Sequence, residues 1–342
     1  MHNFMTWTAI PRILGLGLLL LVASIASGAP ATEQGDALTI YSGRSEELVG
    51  PIIEQFEKAS GIDVRVRYGG TSELAATILE EGRNSPADLF WAQDPAGLGA
   101  VADRFATIPE ATLARVEPPL RSPQGKWVGI SGRARVVVYN TDRVSAAELP
   151  EDLWGFTDPR WRGRIGWAPT NGSFQAMVTT MRLQWGEERT LQWVKGIQAN
   201  SPMAYSANTA IVAAVGTGEV DVGFVNHYYL IRFLVERGED FPARNYHPGA
   251  GGPGAVILVA GAGVLETSTN KETAWRFLDF VLSPVAQQYF AGQTYEYPVI
   301  DGVKTHRLLT PLANINRPDV DMADLQNLES TLRLLRDSGV LP

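Results

Sequence analysis

An α/β fold is predicted by three features of the chain. From Leu38 to Ala92, apolar strand-like runs alternate with amphipathic helical stretches in β-α-β-α-β order, which implies a parallel sheet covered by helices. A second α/β stretch follows and ends in Val220-Asp221-Val222-Gly223-Phe224-Val225, a β-branched and aromatic run. The length, 342 residues, is enough for two domains with sizeable cores.

The elements follow in order. Leu38 to Tyr41 is the first strand, and Ser42-Gly43-Arg44-Ser45 a turn. Ser45 is an N-cap for a helix with Glu46 and Glu47 in its first turn and Leu48, Ile52, Ile53 and Phe56 on one face, stopped by Gly61. Ile62 to Tyr68 alternates apolar and polar and is the second strand. A helix opening at Thr71 ends near Gly82, and Ala87 to Ala92 is the third strand, with Gln93-Asp94 at its carboxyl end. Val128 to Ile130 and Arg135 to Asn140 read as two strands separated by Ser131-Gly132-Arg133. Ile165 to Ala168 is a strand, and Thr170-Asn171-Gly172-Ser173 leads into a helix running to about Trp185. Asn208-Thr209 opens the helix 210–215. After the 220–225 strand, Leu230 to Arg237 is a helix stopped by Gly238. Ala255 to Gly261 is a strand, 274–282 and 283–290 are helices, 301–316 is mostly loop, and 322–336 is a closing amphipathic helix.

Composition excludes several classes. There is no cysteine, so disulfides, zinc–thiolate sites, iron–sulfur clusters and cysteine nucleophiles are all ruled out. Asp and Glu number 37 against 29 Lys and Arg, which argues against a nucleic-acid or anionic-membrane binder. The N-terminus has Arg12, the apolar core Leu18-Leu19-Leu20-Leu21-Val22, and small residues at 24–28. That pattern predicts a secretory signal peptide over 1–29, cleaved near 26–31, and a periplasmic mature protein.

Polar residues collect at strand ends. Asn226 to Tyr229 follows the 220–225 strand, and ligands bind at the carboxyl ends of strands in open α/β sheets. Tyr228 and Tyr229 either pack as part-buried rings or present two oxygen donors to a cleft. Thr170-Asn171-Gly172-Ser173 at a helix N-terminus is an N-cap, through Thr170 or Ser173, or an anion site, and Arg133 is a surface charge or a bidentate anion partner. His227 is a packed or capping histidine, or a ligand. There is no His-Glu-x-x-His pair and no Gly-x-Ser-x-Gly elbow, and the glycine-rich 249–254 run lacks a Gly-Lys-Ser/Thr ending.

Tyr41-Ser42-Gly43-Arg44, Pro86-Ala87-Asp88-Leu89-Phe90-Trp91, the run 131–140, Asn208-Thr209-Ala210 and Asn226-His227-Tyr228-Tyr229 occur in the order of a known family. The chain resembles the periplasmic ferric-ion-binding proteins of bacterial ABC transporters, from about Leu38 to the C-terminus. The resemblance implies a two-lobed type II periplasmic binding protein fold with hinge crossings and an interlobe cleft. Lobe 1 would comprise 36–135 and 259–309, and lobe 2 would comprise 136–258 and 310–342. It also implies a non-enzymatic monomer that binds Fe3+ and delivers it to an inner-membrane ABC permease. The paired ligands fall on Tyr228 and Tyr229, and a third tyrosine on Tyr139. The anion site, for carbonate or another small anion, falls on Arg133, Asn171, Gly172, Ser173, Asn208 and Asn226. Where many members have a histidine and a glutamate, this chain has Ser45, beside Glu46, and Gln93, which leaves Glu46 and Gln93 as weaker candidates. Phenolate is a hard oxygen donor, and a trivalent ion best drives off its proton. A cleft for a small organic or phosphonate-like anion is the alternative on the same fold. A secreted hydrolase is a third reading, without a nucleophile–base signature.

Overall fold

The computed structural model describes residues 37–341. The predicted signal peptide lies outside these residues. Among them, no helix is long and apolar enough to cross a membrane.

The first part opens with β1 (Leu38–Ser42), α1 (Glu46–Ser60), β2 (Val64–Tyr68), α2 (Thr71–Glu81), β3 (Leu89–Ala92), α3 (Pro95–Ala100) and a short α4 (Glu110–Leu113). β1 pairs in parallel with β2 and with β3, as the alternating order requires. α1 ends where Gly61 takes a left-handed φ of 71°, which an L side chain would disfavour. Its buried stripe, Val49, Ile52, Ile53 and Phe56, packs on the sheet, with the Phe56 ring edge-on to Phe277 at 5.1 Å.

One strand then joins the two halves. Positions 128–130 and 135–140 were expected as separate strands; instead β4 runs unbroken from Val128 to Asn140. Ser131-Gly132-Arg133 carries turn-forming residues, but tertiary pairing prevails, and the irregularity shrinks to a register shift between Gly129 and Ser131. The first half of β4 pairs with β9 (Ile257–Val264) and β10 (Tyr297–Pro298). Its second half pairs with β7 (Val222–Asn226) and β8 (Ala243–Tyr246). The strand order is β2-β1-β3-β9-β4-β7-β5-β6, where β5 is Ile165–Trp167 and β6 is Met203–Ala204. The result is a two-lobed α/β fold in which two sheets share β4.

The second sheet is covered on both faces. On one face Ala134, Val136 and Val138 pack against α7 (Asn208–Thr217) and α8 (His227–Arg237) through Ile211, Val215, Leu230 and Ile231. On the other, Val137 and Phe224 pack against α5 (Gly172–Trp185) and α6 (Glu187–Ala199) through Phe174, Met181 and Trp193. α6 has no counterpart in the sequence reading; its first turn carries Glu187 and Glu188, and its apolar stripe Trp193-Val194-Ile197 is short. α9 (Lys271–Val281) and α10 (Pro284–Tyr289) return to the first core. The closing helix is shorter than expected. Met322–Gln326 is a 3-10 turn, and α11 spans Glu329–Asp337, packing Leu334 and Leu335 against the α5/α6 face.

Asp88 ties the start of β3 to neighbouring elements. Its carboxylate accepts from Thr39 N (2.8 Å), Ser268 Oγ (2.6 Å) and Asn270 Nδ2 (3.4 Å), and the residue is buried. Asp88→Ala strands these donors, each at a cost of about 1–3 kcal/mol if left unsatisfied. The expected outcome is a loss of roughly 3 kcal/mol, read as a melting temperature lower by roughly 5–10 °C. Asp88→Asn is expected to lose less.

Candidate functional site

Strand ends and helix starts meet where β4 passes between the sheets. Asn226 ends β7 opposite Arg135 of β4, and the helix α8 begins at His227. Tyr228 and Tyr229 therefore sit in the first turn of a helix, not in a loop after the strand. Their rings stack, with centroids 4.2 Å apart and planes at 28°. Tyr228 is buried and Tyr229 partly so. Burial, then the charge of Tyr229, raises the Tyr228 phenol above its ordinary value, while Arg44 and Arg133 pull the other way. Tyr228 is thus a neutral phenol.

Three arginines crowd this corner, all fully or nearly fully buried: Arg44, Arg133 and Arg135. Arg135 Nη1 donates to Ser173 Oγ (3.0 Å), Asn226 Oδ1 (3.1 Å) and Asn208 Oδ1 (3.3 Å). Burial lowers its pKa to about 9, with the charges of the two tyrosines opposing and that of Arg133 adding. Arg133 Nη2 donates to the backbone oxygen of Gln93, joining β4 to the end of β3. Nε and a terminal nitrogen of both side chains have no hydrogen-bond partner among the described residues. Buried donors in native proteins are nearly always satisfied, so these point to a ligand rich in acceptors.

Of the expected anion residues, Ser173, Asn208 and Asn226 gather around Arg135, and Arg133 lies two residues away on the same strand. Asn171 acts as the N-cap of α5, accepting from Ser173 N (3.0 Å) and Ser173 Oγ (2.6 Å), a role the sequence reading gave to Thr170 or Ser173. Gly172 faces across the cleft: a Cβ there would lie 3.3 Å from Asp94 Oδ2. Arg135 itself was missed. Its signal was available, because alternate residues share a strand face, and Arg133 implies Arg135 beside it.

Tyr139 is not brought to this site, contrary to expectation. It pairs with Val222, four strand positions beyond the Arg135–Asn226 pair, which is roughly 13 Å along β4. Its ring packs with Val137 and Tyr246 in the α5/α6 core. Glu46 is exposed, and its charge acts on Tyr68. Gln93 reaches the site through its backbone, with its oxygen on Arg133 and its N–H on Thr71 Oγ1 (3.1 Å). Thr71 in turn fills the space beside Gly43, where a Cβ would come within 2.1 Å of its hydroxyl. Among the described residues no three His, Asp or Glu side chains cluster as a metal site.

His227 packs. Its Nδ1 accepts from Ala134 N (3.0 Å), so Nε2 carries the proton and donates to Tyr295 O (2.8 Å). Burial lowers its pKa to about 3. Both ring nitrogens are engaged by backbone, so His227 offers no free base to the hydrolase reading.

Comparison with known proteins agrees with this geometry. Residues 51–314 match the model of the bacterial extracellular solute-binding proteins. The chain belongs to that family. A relative from Serratia marcescens, an Fe(3+)-binding periplasmic protein, is 35% identical over 337 residues, covering 96% of this chain and 99% of its own. Iron-bound HitA from Pseudomonas aeruginosa superposes with a TM-score of 0.84 at 35% identity, over 89% of this chain and 99% of that one. Trichodesmium IdiA (FutA), in complex with iron and citrate, gives a TM-score of 0.79 at 29% identity, over 89% and 99%. The family's two-lobed fold and its solute-binding role agree with what the sequence resemblance implied.

Proposed function

We propose that this chain is a periplasmic Fe3+-binding protein, that Tyr228 and Tyr229 supply phenolate ligands, and that it hands the ion to an inner-membrane ABC permease as a monomer. The observation that carries this reading is the stacked tyrosine pair set among buried arginines. Two phenolates are hard, anionic oxygen donors suited to a trivalent ion. Each must lose its proton, so iron uptake releases protons and weakens as pH falls. The Serratia relative is an Fe(3+)-binding protein by name and the Pseudomonas structure is iron-bound, which supports the same cargo here. Among the described residues Arg133 and Arg135 have no carboxylate partner, and they would hold a small anion, carbonate or a carboxylate such as the citrate of the Trichodesmium protein, completing the ion's shell. The lobes are proposed to part near residues 135 and 259, with the ligand between them.

Addition of Fe3+ to protein freed of metal is expected to develop a visible tyrosinate-to-iron charge-transfer band. A colourless protein that retains no iron would overturn the reading. The buried arginines also favour a second reading, in which the cleft takes a small organic or phosphonate-like anion without metal. Isothermal titration against a panel of anions, with and without Fe3+, separates the two: anion heats independent of iron would support the second.

A further inference from the structure

The tyrosine corner contains a buried ion pair that the iron-binding reading does not use. Arg44, at the end of β1, pairs through Nη2 with Glu296 Oε1, and the side chains are 1% and 0% exposed. Arg44 Nε and Nη1, and Glu296 Oε2, have no partner among the described residues. Isolated burial of such a pair is costly, and leaving its remaining donors unmet costs more.

The backbone that carries Glu296 is unusual. Phe290–Thr294 is a π-helical turn, and Tyr295 follows it with a left-handed φ of 59°. Single π turns and non-glycine residues at positive φ concentrate at functional positions, where surrounding contacts hold them. Those contacts are present. Glu296 N donates to Phe290 O (3.1 Å), Tyr295 O accepts from His227, and the Tyr297 ring lies 4.6 Å from the His227 ring. His227 immediately precedes Tyr228. The segment bearing Glu296 is therefore clasped on both sides to the residue beside the tyrosine pair. The charges of Tyr228 and Tyr229 act on Arg44: burial works against its cationic form, and Glu296 and the two tyrosines more than offset it.

Ser45 and Glu46 are exposed, and Gln93 engages through its backbone. We infer that Arg44 and Glu296 form a neutral positioning pair for Tyr228 and Tyr229, in which Glu296 cancels the charge of Arg44 and leaves its spare N–H groups to hold the phenolate oxygens. The pairing matters because an uncompensated guanidinium would repel a trivalent cation, whereas a neutral pair offers donors without that repulsion. This inference rests on the iron-binding reading above.

The test uses the mature protein with Fe3+ in citrate competition, the charge-transfer band, and the melting temperature without metal. Glu296→Gln keeps the shape and frees the Arg44 charge, so affinity is expected to fall at least ten-fold. Arg44→Gln removes the donors from the phenolates and is expected to move the band to longer wavelength. The double variant Arg44→Gln with Glu296→Gln removes the stray charge, and is expected to recover most of the affinity lost in Glu296→Gln. A purely structural pair would lower the melting temperature without moving the band, and the double variant would bind no better than Glu296→Gln. Either an unmoved band in Arg44→Gln or wild-type affinity in Glu296→Gln overturns the inference, so the first arm decides even if the second variant does not fold. A wild-type protein without any band would instead overturn the iron reading itself.

Discussion

Tyr228→Phe and Tyr229→Phe are each expected to abolish stable Fe3+ binding while leaving the metal-free protein folded. Each change deletes one anionic oxygen and keeps the ring. The stack at 4.2 Å and the burial of Tyr228 depend on ring volume, and volume-conserving swaps are well tolerated. The affinity loss should exceed the roughly 10–100-fold typical when an outer-shell partner of a metal ligand is removed. Burial raises the Tyr228 phenol, so its proton is expected to leave only when a cation displaces it. Gln93→Ala is the control. Its backbone stays on Arg133 and Thr71, and a neutral amide binds a hard cation weakly, so affinity should change little. Citrate competition for Fe3+, run beside the melting temperature, checks both. Equal losses in Tyr228→Phe and Gln93→Ala would show a ligand at position 93, and unchanged affinity in both tyrosine variants would make the pair structural.

Arg135→Gln is expected to weaken anion-assisted iron binding about 100-fold, the effect of losing charge-assisted hydrogen bonds worth about 2–3 kcal/mol. The metal-free protein should not melt lower. Burial disfavours the cation of Arg135, lowering its pKa to about 9, and two of the three oxygens it bonds keep other partners, Asn226 Oδ1 being the exception. Ser173 still bonds Asn171, and Asn208 still accepts from Asn226 N (3.1 Å). A site residue whose removal is harmless to stability fits the trade between function and stability seen at binding sites. Iron affinity measured with and without added carbonate is the check. Anion dependence equal to that of the wild type would move the anion site to Arg133 alone.

Much of this was legible in the sequence because burial imposes period. The alternating order of the first lobe, the α1 stripe ending at Gly61, and the tyrosine pair after the β7 run all follow from local pattern. What was not legible depended on pairing partners. Ser131-Gly132-Arg133 looks like a turn in isolation, and β9 on its flank makes it strand. The resemblance puts a third tyrosine ligand on Tyr139, yet its distance along β4 from Arg135 takes it out of reach. Arg44–Glu296 joins residues 252 apart in the chain, and no local signal could connect them. His227 keeps a ligand reading beside the packed or capping one until Ala134 N and Tyr295 O are seen to occupy both its nitrogens.

The unbroken course of β4 has a mechanical consequence. Any swing of one half of the molecule against the other turns about the strands common to both, and points near a pivot travel the shortest arcs. Arg133 and Arg135 lie at the passage between the two halves, where β4 changes neighbours from β9 to β7. Their mutual spacing is therefore nearly constant through such a swing, while residues at the outer ends of the two halves sweep the widest. An anion would meet a grip already set at the fulcrum, and the jaws would have only the metal left to enclose.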